Sequence, residues 1–196
     1  MSDFASTGAR DVLNERNPGG PGARAEYYEV NESPQTVIDG EVFEQTGDID
    51  WSISDINLKE LEDVLFDIEN LTVNSTLDNT INASVDFVAN YDGEDEDLSF
   101  FFAVIETSVS VQSILDDNPG VSLPSYEGTD SILNVLRVMN PSPAGYTHSG
   151  QVTEDQVFSF TMNWEVTNIY NVDKLRIIAF VPVSYTHLTL PTTPYV

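Results

Sequence analysis

Apolar and polar residues alternate along several segments in the last two thirds of the chain. In Thr80–Asn90, apolar residues recur at every second position from Ile81 to Phe87, with polar residues between them. A repeat of two places the apolar side chains on one face of a β-strand. The same reasoning predicts four further strands: Asp67–Thr76, Leu98–Thr107, Val157–Val166 and Lys174–Val181. In Val157–Val166, the side chains predicted to point inward are those of Phe158, Phe160, Met162 and Trp164.

Helical spacing is found in three shorter segments. Pro21–Val30 begins with a proline, which the first turn of a helix tolerates. Ser54–Leu65 has apolar residues at helical intervals and a serine or aspartate at its start that can cap it. Thr129–Met139 carries Ile132, Leu133, Val135, Leu136 and Met139 and is followed by Asn140-Pro141, so a short helix is predicted there. Met1–Gly22 and the acidic run Tyr91–Asp97 are predicted to be loop and turn.

Several short strands separated by turn signals are typical of an antiparallel β-sandwich of immunoglobulin-like type. We assign residues 66–182 to this domain and regard Thr129–Met139 as a helical insertion. Leu98–Thr107 is apolar on both faces, which indicates a central or covered strand.

The segment Asn17–Phe43 predicts a different unit before the sandwich. Pro34 precedes a short strand, Thr36–Ile38, which Asp39 and Gly40 close in a tight turn before a possible hairpin partner at Glu41–Phe43. The order helix, X-Pro, strand, turn is typical of the second half of a thioredoxin-like fold around its cis-proline, although an ordinary entry from loop to strand has the same pattern. We therefore predict an α+β chain, with a partial thioredoxin-like domain at residues 1–65.

Four residues are predicted to have structural roles in this arrangement. Pro34 orients the strand that follows it, and Asp39 and Gly40 form its turn. Trp164 is interpreted as an aromatic anchor of the core.

The charge of the chain narrows the classes of partner. The 196 residues include 33 acidic and 7 basic ones, for a formal net charge of -26. Such a field repels nucleic acid and anionic membrane surfaces, since both need clusters of lysine and arginine. We therefore expect no nucleic-acid partner. No apolar run approaches the roughly 18 residues of a membrane span, so no transmembrane segment is predicted. The absence of cysteine excludes disulfides, thiolate nucleophiles and zinc–thiolate sites from this chain.

The order of several motifs resembles a known family. Asn17-Pro18, Ala23-Arg24, Tyr27-Tyr28 and Ser33–Gly40 resemble elements of the Bacteroidetes outer-membrane protein family called Omp-twenty-eight-related, with Gln35 inserted after Pro34. Three downstream segments also resemble it: FFFAVIET at 100–107, ILNVLRVMNP at 132–141 and LRIIAFV at 175–181.

The resemblance implies a secreted, extracellular or outer-membrane-associated protein with a thioredoxin-like domain followed by an immunoglobulin-like one. Members often carry a Cys-x-x-Cys element near the start of the thioredoxin-like part. This chain lacks it, and we expect the chain to be truncated at both ends. The segment Val183–Thr193 resembles one reading frame of a sequencing adaptor, so residues 183–196, with His187, are interpreted as an artefactual tail; a genuine polar tail is the alternative.

Two features were considered as sites of chemistry. The acidic run Asp92–Asp97 supplies carboxylates for calcium, but its glycine and glutamate positions do not match an EF-hand loop, and a solvated turn is the simpler interpretation. His148 lies in a predicted Gly/Ser/Thr-rich loop without a nucleophile elbow and is interpreted as a surface residue. No catalytic, cofactor-binding or metal-binding residue is therefore predicted, and no cofactor.

The sequence favours a non-enzymatic binding or structural module of the bacterial envelope, with an unknown protein or glycan partner. A second hypothesis is the remnant of a thiol–disulfide oxidoreductase whose cysteines lie upstream. A third, a calcium-stabilised adhesin, predicts heat and a raised melting temperature when calcium is added.

Overall fold

The computed structural model describes residues 12–17, 19–27, 36–38, 41–43, 52–61, 63–75, 79–121 and 130–182. Four short α-helices, one 3-10 helix at Val172–Lys174 and nine strands lie in these ranges. The helices are α1 Val12–Arg16, α2 Gly19–Tyr27, α3 Ile53–Lys59 and α4 Val111–Asp117. The strands are β1 Thr36–Ile38, β2 Glu41–Phe43, β3 Phe66–Ser75, β4 Thr80–Ala89, β5 Gly93–Ser110, β6 Ser131–Asn140, β7 Tyr146–Val152, β8 Val157–Glu165 and β9 Leu175–Phe180.

Two antiparallel sheets form the main body of the protein. The first has the order β3–β4–β8. The second is built around the 18-residue strand β5, whose first half pairs with β7 and whose second half pairs with both β6 and β9. Because β6 and β9 pair with the same residues of β5, they lie on opposite sides of it. Strands β1 and β2 form a separate antiparallel hairpin.

Aromatic side chains from both sheets fill the space between them. Phe100 on β5 is completely buried, and its ring centroid lies 5.7 Å from Phe66, 5.1 Å from Phe87, 5.0 Å from Phe158 and 4.8 Å from Phe160. The alternation along β4 is regular, since every second residue from Ile81 to Ala89 is buried. The two sheets therefore enclose one apolar core, which period-2 patterning requires.

The strand predictions are confirmed within a few residues. All five segments predicted to be strands after residue 66 are strands, and so are Thr36–Ile38 and Glu41–Phe43. The central position expected for Leu98–Thr107 is also confirmed, because this segment is part of β5. The protein is thus mostly antiparallel sheet with a few short helices, a β-rich α+β fold.

The helix predicted at Thr129–Met139 is wrong: the segment forms β6. The buried residues of this strand alternate as Val135, Arg137 and Met139. Because arginine is charged, Arg137 does not count as an inward position in a pattern of apolar residues. The remaining apolar residues then have an apparent helical spacing. The sequence pattern failed because the strand buries a charge.

Other boundaries also differ from the predictions. The region assigned to loop contains α1, and the acidic run is not all turn because β5 begins at Gly93. The helix expected at Ser54–Leu65 ends at Lys59 as α3. The segment around His148 is strand β7 rather than loop.

A second apolar cluster attaches helix α1 to the body. Val12 is 2% exposed and packs with Val109, Ile114 and Val135. The side-chain amide of Asn17 donates to the carbonyl of Leu136 at 3.4 Å. Residues from both sides of the predicted domain boundary, between residues 65 and 66, therefore pack in one apolar cluster.

The turn between β6 and β7 depends on a glycine. Gly145 has φ +77°, and a Cβ there would lie 2.8 Å from the Phe100 carbonyl oxygen and from the Phe101 ring. We expect Gly145→Ala to lower the free energy of unfolding by about 3 kcal/mol or more, because strain and overlap add. Gly120→Ala is the matched control, since Gly120 has φ +88° with nothing within 4 Å; only the backbone cost of about 1–2 kcal/mol is expected there. Equal losses in urea unfolding would contradict the prediction.

Candidate functional site

One face of the first sheet is covered by short polar side chains that point away from the core. We call this surface the polar face. It follows from the alternation of β4 and β8, whose buried residues alternate with exposed or half-buried polar ones. Its members are Asn70 and Thr72 on β3, Asn82, Ser84 and Asp86 on β4, and Ser159, Thr161 and Asn163 on β8.

The side chains of the polar face are connected across the strands. The Asn163 amide donates to Oδ1 of Asn82 at 2.6 Å, and the hydroxyls of Thr72 and Ser84 are 2.7 Å apart. Both pairs lie directly opposite or next to each other in the strand registers, where cross-strand side chains meet. The result is an ordered array of amides and hydroxyls on one face of the sheet.

Asp86 is the charged residue that β4 contributes to this array, directly opposite Glu69 of β3. Its Oδ1 accepts a hydrogen bond from the Ser159 hydroxyl at 2.6 Å and its Oδ2 accepts one from the Asn70 amide at 2.8 Å. These two bonds, the Ser159 bond first, lower the pKa of Asp86 below its ordinary value, because they stabilise the carboxylate form.

Ser159→Ala is expected to raise the pKa of Asp86 back towards the ordinary value, as measured by NMR titration of its carboxyl group. Because the folded-state pKa is depressed, the stabilisation from this carboxylate exists above its unfolded pKa and is lost as pH falls through the folded one. Asn163→Ala is the control, since Asn163 bonds to Asn82 and not to Asp86. An Asp86 pKa unchanged by Ser159→Ala would disprove this assignment.

A buried ion pair lies between β5 and β6. Glu106 and Arg137 are 0% and 6% exposed, and Oε2 of Glu106 accepts from Nη2 of Arg137 at 2.6 Å and from Nε at 2.9 Å. The backbone N–H of Asn171 donates to Oε1 at 2.6 Å, and that of Tyr170 donates to Oε2 at 3.2 Å. Four donors therefore satisfy this carboxylate, as a buried charge requires.

The ion pair fixes the connection between β8 and β9. Tyr170 and Asn171 belong to this connection, and the ring of Tyr170 lies between two guanidinium groups, 4.6 Å from Arg16 and 5.3 Å from Arg137. Arg16 also contacts Asp117 at 3.3 Å. Because α1, α4, β5, β6 and the connection converge here, the buried pair organises the fold rather than a surface.

The predicted site residues are not brought together. Trp164 is partly buried and packs at the margin of the main core. His148 is half-buried on β7, with its ring centroid 5.0 Å from that of Phe158 and its Nε2 3.4 Å from the Gln151 carbonyl oxygen. Pro34, Asp39 and Gly40 lie outside the described residues.

The acidic run does not converge on one point. Asp97 Oδ1 accepts from the Ser149 hydroxyl at 2.6 Å, whereas Asp92 Oδ1 accepts from the backbone N–H of Glu154 at 3.0 Å. From Gly93 onward the run is strand β5, whose pairing with β7 has a register shift between Gly93 and Glu96. Within the residues that the structure describes, no three histidine or acidic side chains are grouped to hold a metal ion.

Sequence reasoning missed both the polar face and the ion pair as units. The polar residues of β4 were recognised as one face of a strand, but their bonds to β8 depend on a pairing between distant segments. Glu106 and Arg137 both lie in segments that carry the family resemblance, and a lone charge inside an apolar strand was the available signal.

The fold and its surfaces define a β-rich protein with an ordered polar sheet face and a buried ion pair. Among the described residues, no helix has the length and apolar character needed to cross a membrane. Comparisons with protein-family models, with curated proteins and with solved structures find no match for this chain.

Proposed function

We propose that this chain is a non-enzymatic binding module of the bacterial envelope, secreted or associated with the outer membrane, and that it binds with the polar face. We also propose an immunoglobulin-like assignment for the two-sheet body, a partial thioredoxin-like assignment for the N-terminal segment, and membership of the Omp-twenty-eight-related family. The resemblance in residues 14–181 supports the location and the family. The ordered polar face supports the mode of action.

The observation that carries this proposal is the mutual hydrogen bonding of the polar face. Side chains that already hold one another in place lose little conformational entropy when a ligand binds. Asn82, Asn163 and Thr72 present amide and hydroxyl groups that both donate and accept. Glycan hydroxyls also donate and accept, so we take a glycan as the ligand of this face.

The electrostatics of the face favour binding over catalysis. Asp86 is held ionised by two hydrogen bonds, and its pKa is lowered. A carboxylate stabilised in this way is a weaker general base than an ordinary one. Its role on this surface is to orient Asn70 and Ser159.

Biolayer interferometry against immobilised envelope polysaccharide from a Bacteroidetes bacterium tests this function. The chain is expected to bind, and Asn82→Ala with Asn163→Ala is expected to weaken binding at least about tenfold, because about two hydrogen bonds to the ligand are lost. Gln112→Ala on α4 is the control, because its amide bonds only to Asp116 on the same helix among the described contacts.

Circular dichroism melting separates loss of binding from loss of fold. The exposed position of Asn163 predicts little change in melting temperature for the double variant. No binding to the polysaccharide, or equal binding by the double variant, would reject the polar face as a glycan site.

A further inference from the structure

On one side of the two-sheet body, two strands have an edge that no other described strand pairs with. β3 and β9 are outer strands of different sheets and lie next to each other. Within the described residues, β3 pairs with β4 alone and β9 with β5 alone. Such edges present backbone N–H and C=O groups that another strand can bond.

At the other edge of the first sheet, one backbone group of β8 is already bonded. There the Tyr146 hydroxyl of β7 donates to the Thr161 carbonyl of β8 at 2.6 Å. The ring of His148 packs against that of Phe158 on the same strand. The side formed by β3 and β9 is therefore the better candidate for an interface.

The two open edges carry opposite charges at the same spacing. Asp67 and Glu69 are exposed on β3, whereas Arg176 is exposed on β9 and Lys174 is exposed at the end of the 3-10 turn directly before it. Two of the chain's 7 basic residues thus lie within three positions, in a molecule of net charge -26. If β3 of one molecule lies antiparallel to β9 of another, Asp67 can face Arg176 while Glu69 faces Lys174.

The same register also matches apolar residues. Ile68, which lies between the two acidic residues, would face Leu175, which lies between the two basic ones. Ile68 is 48% exposed in the single chain, and Leu175 packs against the main core. Pairing in this register therefore covers an exposed isoleucine and extends the core across the interface.

We propose that this side of the protein binds a second copy of the chain in a two-fold symmetric dimer. β3 is antiparallel to β4, β9 is antiparallel to β5, and three residues join β4 to β5. β3 and β9 consequently run in opposite directions. A two-fold axis parallel to the strands places β3 of each copy antiparallel to β9 of its partner, so both edges are paired at once and the assembly closes.

The charges also select against the two wrong pairings. β3 with β3 would bring acidic residues together, and β9 with β9 would bring basic residues together. Like charges across paired strands are destabilising. Only the pairing of β3 with β9 places opposite charges across both interfaces. Repulsion in the alternative pairings therefore contributes to specificity.

Two charge-reversed variants test the dimer by sedimentation velocity over a concentration series. The acidic-edge variant carries Asp67→Lys and Glu69→Lys, and the basic-edge variant carries Lys174→Glu and Arg176→Glu. Each alone faces like charges at both interfaces, and its dimer is expected to dissociate about a hundredfold more readily than the wild type. Mixed in equal amounts, the two variants restore opposite charges at both interfaces and are expected to form a heterodimer.

The control is Glu154→Lys, which reverses an exposed charge in the turn between β7 and β8. It is expected to dimerise like the wild type. Recovery of the dimer on mixing cannot result from misfolding of either variant. A wild-type chain that stays monomeric throughout the series, or variants that fail to associate when mixed, would overturn the proposal.

Discussion

Glu106→Gln is expected to lower the free energy of unfolding by about 3–5 kcal/mol, the usual cost of removing one partner from a buried ion pair. The change keeps the shape of the side chain but leaves the guanidinium of Arg137 without a counter-charge, and the side chain of Arg137 is only 2% exposed. The neutral amide is also a weaker acceptor for the backbone N–H groups of Tyr170 and Asn171, so the β8–β9 connection should loosen.

Urea unfolding measures the loss of unfolding free energy, and hydrogen exchange measures the loosening of the β8–β9 connection. Asp117→Asn is the matched control, because Asp117 also pairs with an arginine, Arg16, but is 55% exposed. A loss of at most about 1 kcal/mol is expected there. If Glu106→Gln and Asp117→Asn cost the same, or if the N–H of Asn171 exchanges no faster in Glu106→Gln, the buried pair does not have the role assigned to it.

Phe100→Ala is the second substitution with a large expected effect, a loss of about 3–5 kcal/mol. The ring of Phe100 is completely buried and packs against phenylalanines from β3, β4 and β8. Removing it leaves a cavity between the sheets that surrounding strands cannot readily close, because both sheets are held by their own ladders.

Leu133→Ala is the control for this prediction. Leu133 is a large apolar residue of β6, but it is 66% exposed, so its truncation should change the unfolding free energy by no more than about 0.5 kcal/mol. Thermal and urea unfolding of the two variants measure the difference. Similar losses would mean that the packing around Phe100 is not the centre of the core.

The sequence predicted those parts of the fold in which side-chain pattern and burial agree. Alternation along β4 identifies both its strand character and its buried face, since every inward residue there is apolar. The same logic failed in β6, where Arg137 occupies an inward position. Its burial depends on Glu106, which lies 31 residues earlier in the chain. A rule that looks only at neighbouring residues cannot detect such compensation.

The candidate surfaces also have features that local sequence pattern predicts and features that depend on contacts between distant segments. The outward positions of β4 were predictable from period 2, but their hydrogen bonds to β8 were not. Asp86 and Ser159 are 73 residues apart, and only the strand register brings them together. For the same reason the matching charges of β3 and β9 have no meaning until both strands are known to be outer strands on one side.

The pairing of β4 with β8 has a consequence for the order in which the protein folds. Thr80 pairs with Glu165 and Val88 with Val157, so this ladder closes over long stretches of chain. Pairings between distant segments form slowly, because the entropy of loop closure must be overcome first. During synthesis, the β3–β4 hairpin is therefore expected to form early. Its inner apolar face stays exposed until β8 has been synthesised and pairs with β4. A chaperone that shields extended apolar segments would act on this species, and slow refolding limited by β8 docking is the expected kinetic signature.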